Sequence, residues 1–226
     1  MHLPPLSVLY EDNHLLVVNK PSGIVTMGVA DDVPSMLAVA KQYLKRKYDK
    51  QGNVYLGVVS RLDAPVSGVL LFARTSKAAA RLNEQFRARD VDKTYWGIAE
   101  GRIAAAHESW IDWVAPDERH RRMHVVGQGM PGAQEARLSF RRLEFVPRGT
   151  WVEIQLETGR KHQIRLQFSR RGHPLLGDRK YGSTQSWPEG IALHARSLTF
   201  AHPVSGLGIE AVAPTPTAWK KLGIAQ

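Results

Sequence analysis

At 226 residues and 43% hydrophobic content, the chain is long enough to bury a core as one large domain or two small ones. Its 31 Lys and Arg against 21 Asp and Glu leave a formal charge of +10, which favours a polyanionic partner, nucleic acid first among them. The absence of cysteine excludes disulfides, thiolate metal sites and cysteine nucleophiles and fits a reducing cytoplasm.

No apolar run approaches the ~20 residues that span a bilayer, and the opening MHLPPLSVLYEDNH lacks the apolar stretch of a signal peptide. A cytoplasmic protein without a membrane segment is therefore expected.

In chain order, Leu6 to Tyr10 and Leu15 to Val18 read as two short strands separated by the turn Glu11-Asp12-Asn13. The second leads into Lys20-Pro21-Ser22-Gly23, a turn that brings a cation either to a phosphate or simply to solvent. Ser35 is placed to cap a helix running to about Tyr48, with Leu37, Ala40 and Leu44 on its apolar stripe and Lys41, Lys45, Arg46 and Lys47 elsewhere. The stretch SRLDAPVSGVLLFAR, Ser60 to Arg74, then sets Asp63 in a loop made by Pro65 and Gly68, between Arg61 and the apolar strand Val69 to Ala73. A carboxylate at the lip of a strand is positioned for a cleft; the same residues also suit an ordinary Asx-turn. Ser76 is predicted to cap a second helix to about Arg89, with Ala79, Leu82 and Phe86 inward. Thr94 to Ala99 follows as a strand carrying Tyr95.

Between Ile103 and Glu144 the pattern is weaker. ERHRRMH, Glu118 to His124, reads as strand and turn with Arg119, Arg121 and Arg122 facing solvent or RNA. His120 and His124 stand four apart, yet without an HExxH pattern or a third ligand, so no metal site is expected. Ala133 to Leu143 and Trp151 to Leu156 read as strands, the latter alternating through Val152, Ile154 and Leu156. Thr158 is placed to cap a helix from about Lys161 to Arg171, closed by Gly172, with Ile164 and Phe168 inward and Arg165 emerging beside them. Asp178 and Tyr181 read as structural hydrogen-bonding residues. Leu193 opens the last predicted strand, ending at His202, and the tail is Pro-rich with an amphipathic Trp219-Lys220-Lys221-Leu222. Strands outnumber helices and do not alternate with them regularly, which points to an α+β fold on a mostly antiparallel mixed sheet with packed helices. No repeat or linker forces a boundary, so residues 1–226 are expected to form a single domain, its core at about 7–213, with a central cleft crossing the sheet.

Four segments carry a resemblance. SRLDAPVSG resembles the RLDxxTSG motif of the RluA family of pseudouridine synthases, and VVNKPSG, KTYWGIAEG and TGRKHQIRLQFSRRGHPLLGDRKYG match the same family in order. The resemblance implies isomerisation of uridine to pseudouridine in structured RNA, ribosomal or transfer, by a pseudouridine synthase catalytic domain that needs no cofactor. It makes Asp63 the catalytic aspartate, Tyr95 the ring that packs on the uracil and handles a proton, and Arg165 the partner that keeps Asp63 ionised. An Arg within about 4–6 Å typically lowers a carboxylate pKa by about 1–3 units. Arg61, Lys20, Leu193, Arg121 and Arg122 are taken as substrate contacts, with no metal ligand among them. A monomer is expected, without the small basic RNA-binding domain that many relatives carry ahead of the catalytic part. Ser60 and Val66 depart from the family pattern, which has His and Thr there, and so leave the target RNA open. A catalytically inactive RNA-binding module on the same fold and a metal-dependent nuclease are the rival classes.

Overall fold

Apolar runs and turn residues resolve, in a computed structural model that describes residues 5–28 and 33–224, into eleven strands and four α-helices. The first half contains β1 (Ser7–Glu11), β2 (Leu15–Lys20), α1 (Met36–Lys47), β3 (Gly57–Val58), β4 (Ser67–Ala73) and α2 (Ser76–Ala88). Five strands follow: β5 (Asp92–Glu100), β6 (His107–Asp117), β7 (Arg122–Val126), β8 (Gln134–Val146) and β9 (Gly149–Leu156). The chain ends with α3 (Gln163–Arg170), β10 (Leu193–Ala201), β11 (Gly208–Val212) and α4 (Thr217–Lys220). The α+β class expected from the sequence is the class observed. No helix among the described residues is long and apolar enough to cross a membrane.

Two compact units are present: residues up to 91 together with Ala195–Pro216, and Asp92–His194 together with the segment from Thr217. In the first, the strands run in the order β1-β2-β4-β10, with β11 on β10 and β3 on β4. Strand β2 pairs antiparallel with both β1 and β4, and Leu15, Leu16, Val17 and Val18 are all fully buried, which explains a continuous apolar run where a half-exposed strand would alternate. Helix α2 packs Ala78 and Leu82 onto Leu15, Val17, Val69, Leu71 and Phe200. Burying one such leucine contributes about 1.5–3 kcal/mol. Helix α1 is tied to β1 through Glu11, whose carboxylate accepts from Tyr43 Oη and Lys47 Nζ, each at 2.8 Å.

Ser35 caps α1 as predicted, its Oγ accepting from Ala38 N at 3.2 Å. The buried residues of α1 are Met36, Val39, Ala40 and Leu44, so the stripe is rotated from the predicted one and Leu37 is half-buried. In α2 the cap is Thr75 rather than Ser76: its hydroxyl accepts from Ala78 N at 3.1 Å, which places Ser76 inside the first turn.

The second unit is an antiparallel sheet in the order β5-β9-β8-β6-β7. One face of β5 contributes Trp96 and Ile98 to a core with Trp151, Leu176, Ala192 and Trp219, the last supplied by α4. Trp96 and Trp151 meet edge to face, ring centroids 5.2 Å apart, an arrangement worth about 0.5–1.5 kcal/mol beyond the area buried. Three strands, β3, β6 and β11, lie where no strand is expected from the sequence.

Candidate active site

The Asp63 loop is fixed through its backbone. Val66 N–H donates to the Asp63 carbonyl at 3.1 Å and closes the turn. The three neighbouring carbonyls are taken by the segment that follows β2. Thr26 Oγ1 donates to Leu62 O at 2.8 Å and in return accepts from Leu62 N at 3.1 Å. Gly23 N–H donates to Ala64 O at 2.8 Å, and Ser22 Oγ donates to Pro65 O at 2.9 Å. Every carbonyl from Leu62 to Pro65 is therefore bonded, at about 0.5–1.5 kcal/mol each, and none of these bonds uses the Asp63 carboxylate. That side chain is half-buried, between buried Leu62 and Val66, and Arg61 is exposed. Gly68, at the start of β4, is required for a different reason: its φ is +117°, and a Cβ there would lie 2.2 Å from Ala195 O on β10.

Lys20 completes the brace. The sequence left it between a phosphate contact and a solvated cation, and the structure replaces both readings. Its side chain is fully buried, and Nζ donates to Pro21 O at 2.9 Å, Ile24 O at 2.7 Å and Ala64 O at 3.1 Å. An ammonium has three donors, and all three are used. Burial pushes its pKa down from 10.5 to about 8, opposed by the negative charge of Asp63. Lys20 is thus a buried cation that holds the aspartate loop and sits in the field of its carboxylate.

A pH experiment follows from that shift. Above pH about 8 the amine loses a donor, one of its carbonyls goes unbonded, and the charge near Asp63 disappears. Turnover is expected to fall through this range. Folding stability has the opposite sign: the unfolded chain holds the proton up to about 10.5 and the folded chain only to about 8, so stability rises with pH between the two. Paired measurements of kcat and urea stability against pH check this, and a stability curve with no rise in that window would remove Lys20 from the argument.

The second unit holds Tyr95, Arg165, Leu193, Arg121 and Arg122. Tyr95 is half-buried on β5 opposite Ile154 of β9. It shares its face with Gly97, where a Cβ would press on Ile154 Cδ1 at 3.1 Å, while Trp96 and Ile98 turn to the tryptophan core. Leu193 is buried at the start of β10. Arg121 and Arg122 are exposed at the turn between β6 and β7; Arg121 has a φ of +50° and its carbonyl accepts from Lys180 Nζ at 3.0 Å. Arg122 Nε lies 3.5 Å from Asp117 Oδ2, and His120 Nδ1 lies 2.8 Å from the same oxygen. Among the described residues no group of three or more His, Cys, Asp or Glu is arranged to hold a metal ion.

Arg165 lies on α3, where every residue from Gln163 to Phe168 is buried. Its guanidinium donates from Nε to Asp178 Oδ2 at 2.6 Å and from a terminal nitrogen to Asp178 Oδ1 at 2.8 Å. It also rests over the Tyr181 ring, 5.1 Å from the centroid. Tyr181 Oη accepts from Met123 N at 2.9 Å and lies 2.8 Å from His162 Nδ1. The start of α3 corrects the sequence reading. Thr158 does not cap it; His162, with φ +55°, precedes it, and the Thr158 hydroxyl instead donates to Gln163 Oε1 at 2.8 Å. The helix begins at Gln163 because that side chain ties its own first turn back, with Oε1 accepting from Arg160 N at 3.0 Å. The sequence had no means of finding Thr26 or Ser22 as loop braces. Asp178 carried a signal, an acid between Gly177 and two cations, without indicating its partner.

The family described as RNA pseudouridylate synthase matches residues 14–170 by its sequence profile. The protein named ribosomal large subunit pseudouridine synthase D of Xanthomonas campestris is 36% identical over 232 aligned positions, covering 96% of this chain and 68% of that protein. An uncharacterized RNA pseudouridine synthase of Bacillus subtilis is 36% identical over 220 positions, covering 96% and 71%. The solved structure of human RNA pseudouridylate synthase domain containing 4 is similar in fold, with a TM-score of 0.78 at 24% identity over 96% of this chain and 93% of that one.

Proposed function

The chain belongs to the RNA pseudouridylate synthase family, and from that premise we propose that Asp63 is its catalytic aspartate and large-subunit ribosomal RNA its target. The activity is that of an RNA pseudouridine synthase: uridine in RNA is isomerised so that the base leaves through nitrogen and rejoins the sugar through carbon. One observation supports Asp63 most strongly: every carbonyl from Leu62 to Pro65 is bonded, so the loop that carries the carboxylate is held in place through its backbone. The target uridine must leave its stack to be reached. Asp63 then acts on the glycosidic bond, Tyr95 receives the flipped uracil on its ring, and Arg165 serves as counter-charge to the carboxylate. Arg61 and Leu193 contact the nucleotide, and Arg121 and Arg122 contact phosphates. The ribosomal target is carried by the name of the Xanthomonas relative; transfer RNA is the alternative. The protein acts as a cytoplasmic monomer in this reading. Mapping pseudouridines across ribosomal and transfer RNA with and without the gene tests the target, and loss of a single large-subunit position is the expected result.

Tyr95 gives a sharper test of the chemistry. Tyr95→Leu removes a stacking surface worth about 1–3 kcal/mol, whereas Tyr95→Phe keeps it. Tyr95→Phe is expected to bind RNA normally and slow the chemical step by on the order of 10²-fold, because the hydroxyl moves a proton. Single-turnover rates at saturating enzyme separate these effects; a Tyr95→Phe enzyme within a few-fold of wild type would leave the residue as a stacking platform alone.

A further inference from the structure

At the far end of β5 the second unit carries an open depression of about 390 Å³ lined by Glu100, Arg102, Phe145, Arg148 and Gln185 among others. Its two walls are the segment after β5 and the two-residue turn Pro147-Arg148 that joins β8 to β9, where Val146 pairs with Gly149. That turn is pressed against β5: a Cβ on Gly149 would lie 2.4 Å from Ala99 O. Arg148 sits in the left-handed region with φ +71°.

The charges in this depression are unusual in what they lack. Neither Arg102 nor Arg148 has an ion-pair partner among the described residues. The one acid lining it, Glu100, has both oxygens engaged: Oε1 accepts from Ser183 Oγ and, at 2.9 Å, from Gln185 N, and Oε2 lies 3.4 Å from Thr184 Oγ1. Arg102 is held in place all the same, its guanidinium 4.0 Å from the centroid of the Phe145 ring. Arg142 shares that ring at 4.5 Å and donates to Ile103 O at 3.0 Å and Ala104 O at 2.6 Å, which fixes the wall behind it. A guanidinium stacked on an aromatic ring keeps its fork of N–H donors free at the edge, the geometry that suits the paired oxygens of a phosphodiester.

We propose that this depression is a phosphodiester subsite for RNA flanking the target uridine. It rests on the reading of Tyr95 as the residue that receives the base. Strand β5 runs extended from Tyr95 to its end at Glu100, so at about 3.3 Å per residue the depression lies on the order of 20 Å from that ring. The phosphate it binds therefore belongs to a nucleotide several positions away.

The experiment uses fluorescence anisotropy with oligouridylates of about five and about twenty nucleotides, lengths below and above what such a span requires. In Arg102→Ala/Arg148→Ala, affinity for the longer oligomer falls on the order of tenfold at about 0.1 M salt, and the slope of log K against log salt decreases by up to about 1.5. Affinity for the short one is unchanged. On a large-subunit ribosomal transcript the variant raises KM and leaves kcat unaltered. Arg102→Lys/Arg148→Lys restores the slope and only part of the affinity, since the fork is lost. Unchanged affinity for the long oligomer overturns the proposal. So does an equal loss in the control Lys220→Ala/Lys221→Ala, which removes two exposed charges elsewhere, or loss of inorganic phosphate binding with RNA binding intact. Failure of the wild type to modify the transcript overturns the ribosomal target instead, and the oligouridylate arm still reports on the subsite.

Discussion

Asp63→Asn is expected to abolish pseudouridine formation while leaving the melting temperature and RNA affinity close to wild type. The substitution is isosteric and removes only the ionisable group. The loop is held by bonds to the carbonyls of Leu62, Asp63, Ala64 and Pro65, and these do not involve the carboxylate. The geometry of the turn therefore survives the change. RNA affinity survives as well, because removing a negative charge does not weaken attraction to a polyanion. A second consequence comes from Lys20, whose pKa of about 8 is raised by Asp63 against the effect of burial. In the variant that support is gone, the pKa falls further, and the rise of stability with pH begins at lower pH than in the wild type. Tritium release from RNA labelled at uracil C5 reads the activity, and urea unfolding across pH reads the second effect. Turnover like that of the wild type would sink the assignment of Asp63.

Local chemistry explains which parts of the fold could be read from the sequence. Ser35 was legible as a cap because its hydroxyl meets an N–H three residues on, and β2, β4, β5, β8, β9 and β10 were legible as apolar or alternating runs. Strand β6 was not, because its exposed start His107-Glu108-Ser109, its exposed Ile111 and its Pro116 break the two-residue period. Strand β11 is only five residues long, with exposed Gly208, Glu210 and Val212. In helix α3 the approximate extent and the inward Ile164 and Phe168 were legible, but Gln163, Arg165 and Gln167 are buried as well, so the apolar stripe did not reveal the direction of Arg165. The site followed the same rule. The loop that carries Asp63 could be read from its turn residues Pro65 and Gly68, but the role of Lys20 depends on a carbonyl 44 residues away, and nothing in Lys-Pro-Ser-Gly announces that the lysine is buried.

Arg165→Met is expected to reduce both stability and activity, and the two losses can be separated. Asp178 is only 1% exposed, and the substitution leaves its carboxylate without the guanidinium that binds both its oxygens. Breaking a buried pair from one side costs about 3–5 kcal/mol, while replacing both members by apolar groups of similar volume is often close to neutral. The double variant Arg165→Met/Asp178→Leu is therefore expected to recover most of the stability in urea unfolding. Its activity is expected to stay low, since the proposed counter-charge to Asp63 is still absent. The salt dependence of RNA binding is expected to match the wild type in both variants, because a guanidinium committed to Asp178 and lying over Tyr181 is not a phosphate contact. Arg121→Ala and Arg122→Ala, at the exposed turn between β6 and β7, lower that slope by up to about one each if they meet phosphates. Recovery of single-turnover rate together with stability in the double variant would reduce Arg165 to a structural partner of Asp178, and a lowered salt slope in Arg165→Met would place it among the phosphate-binding cations instead.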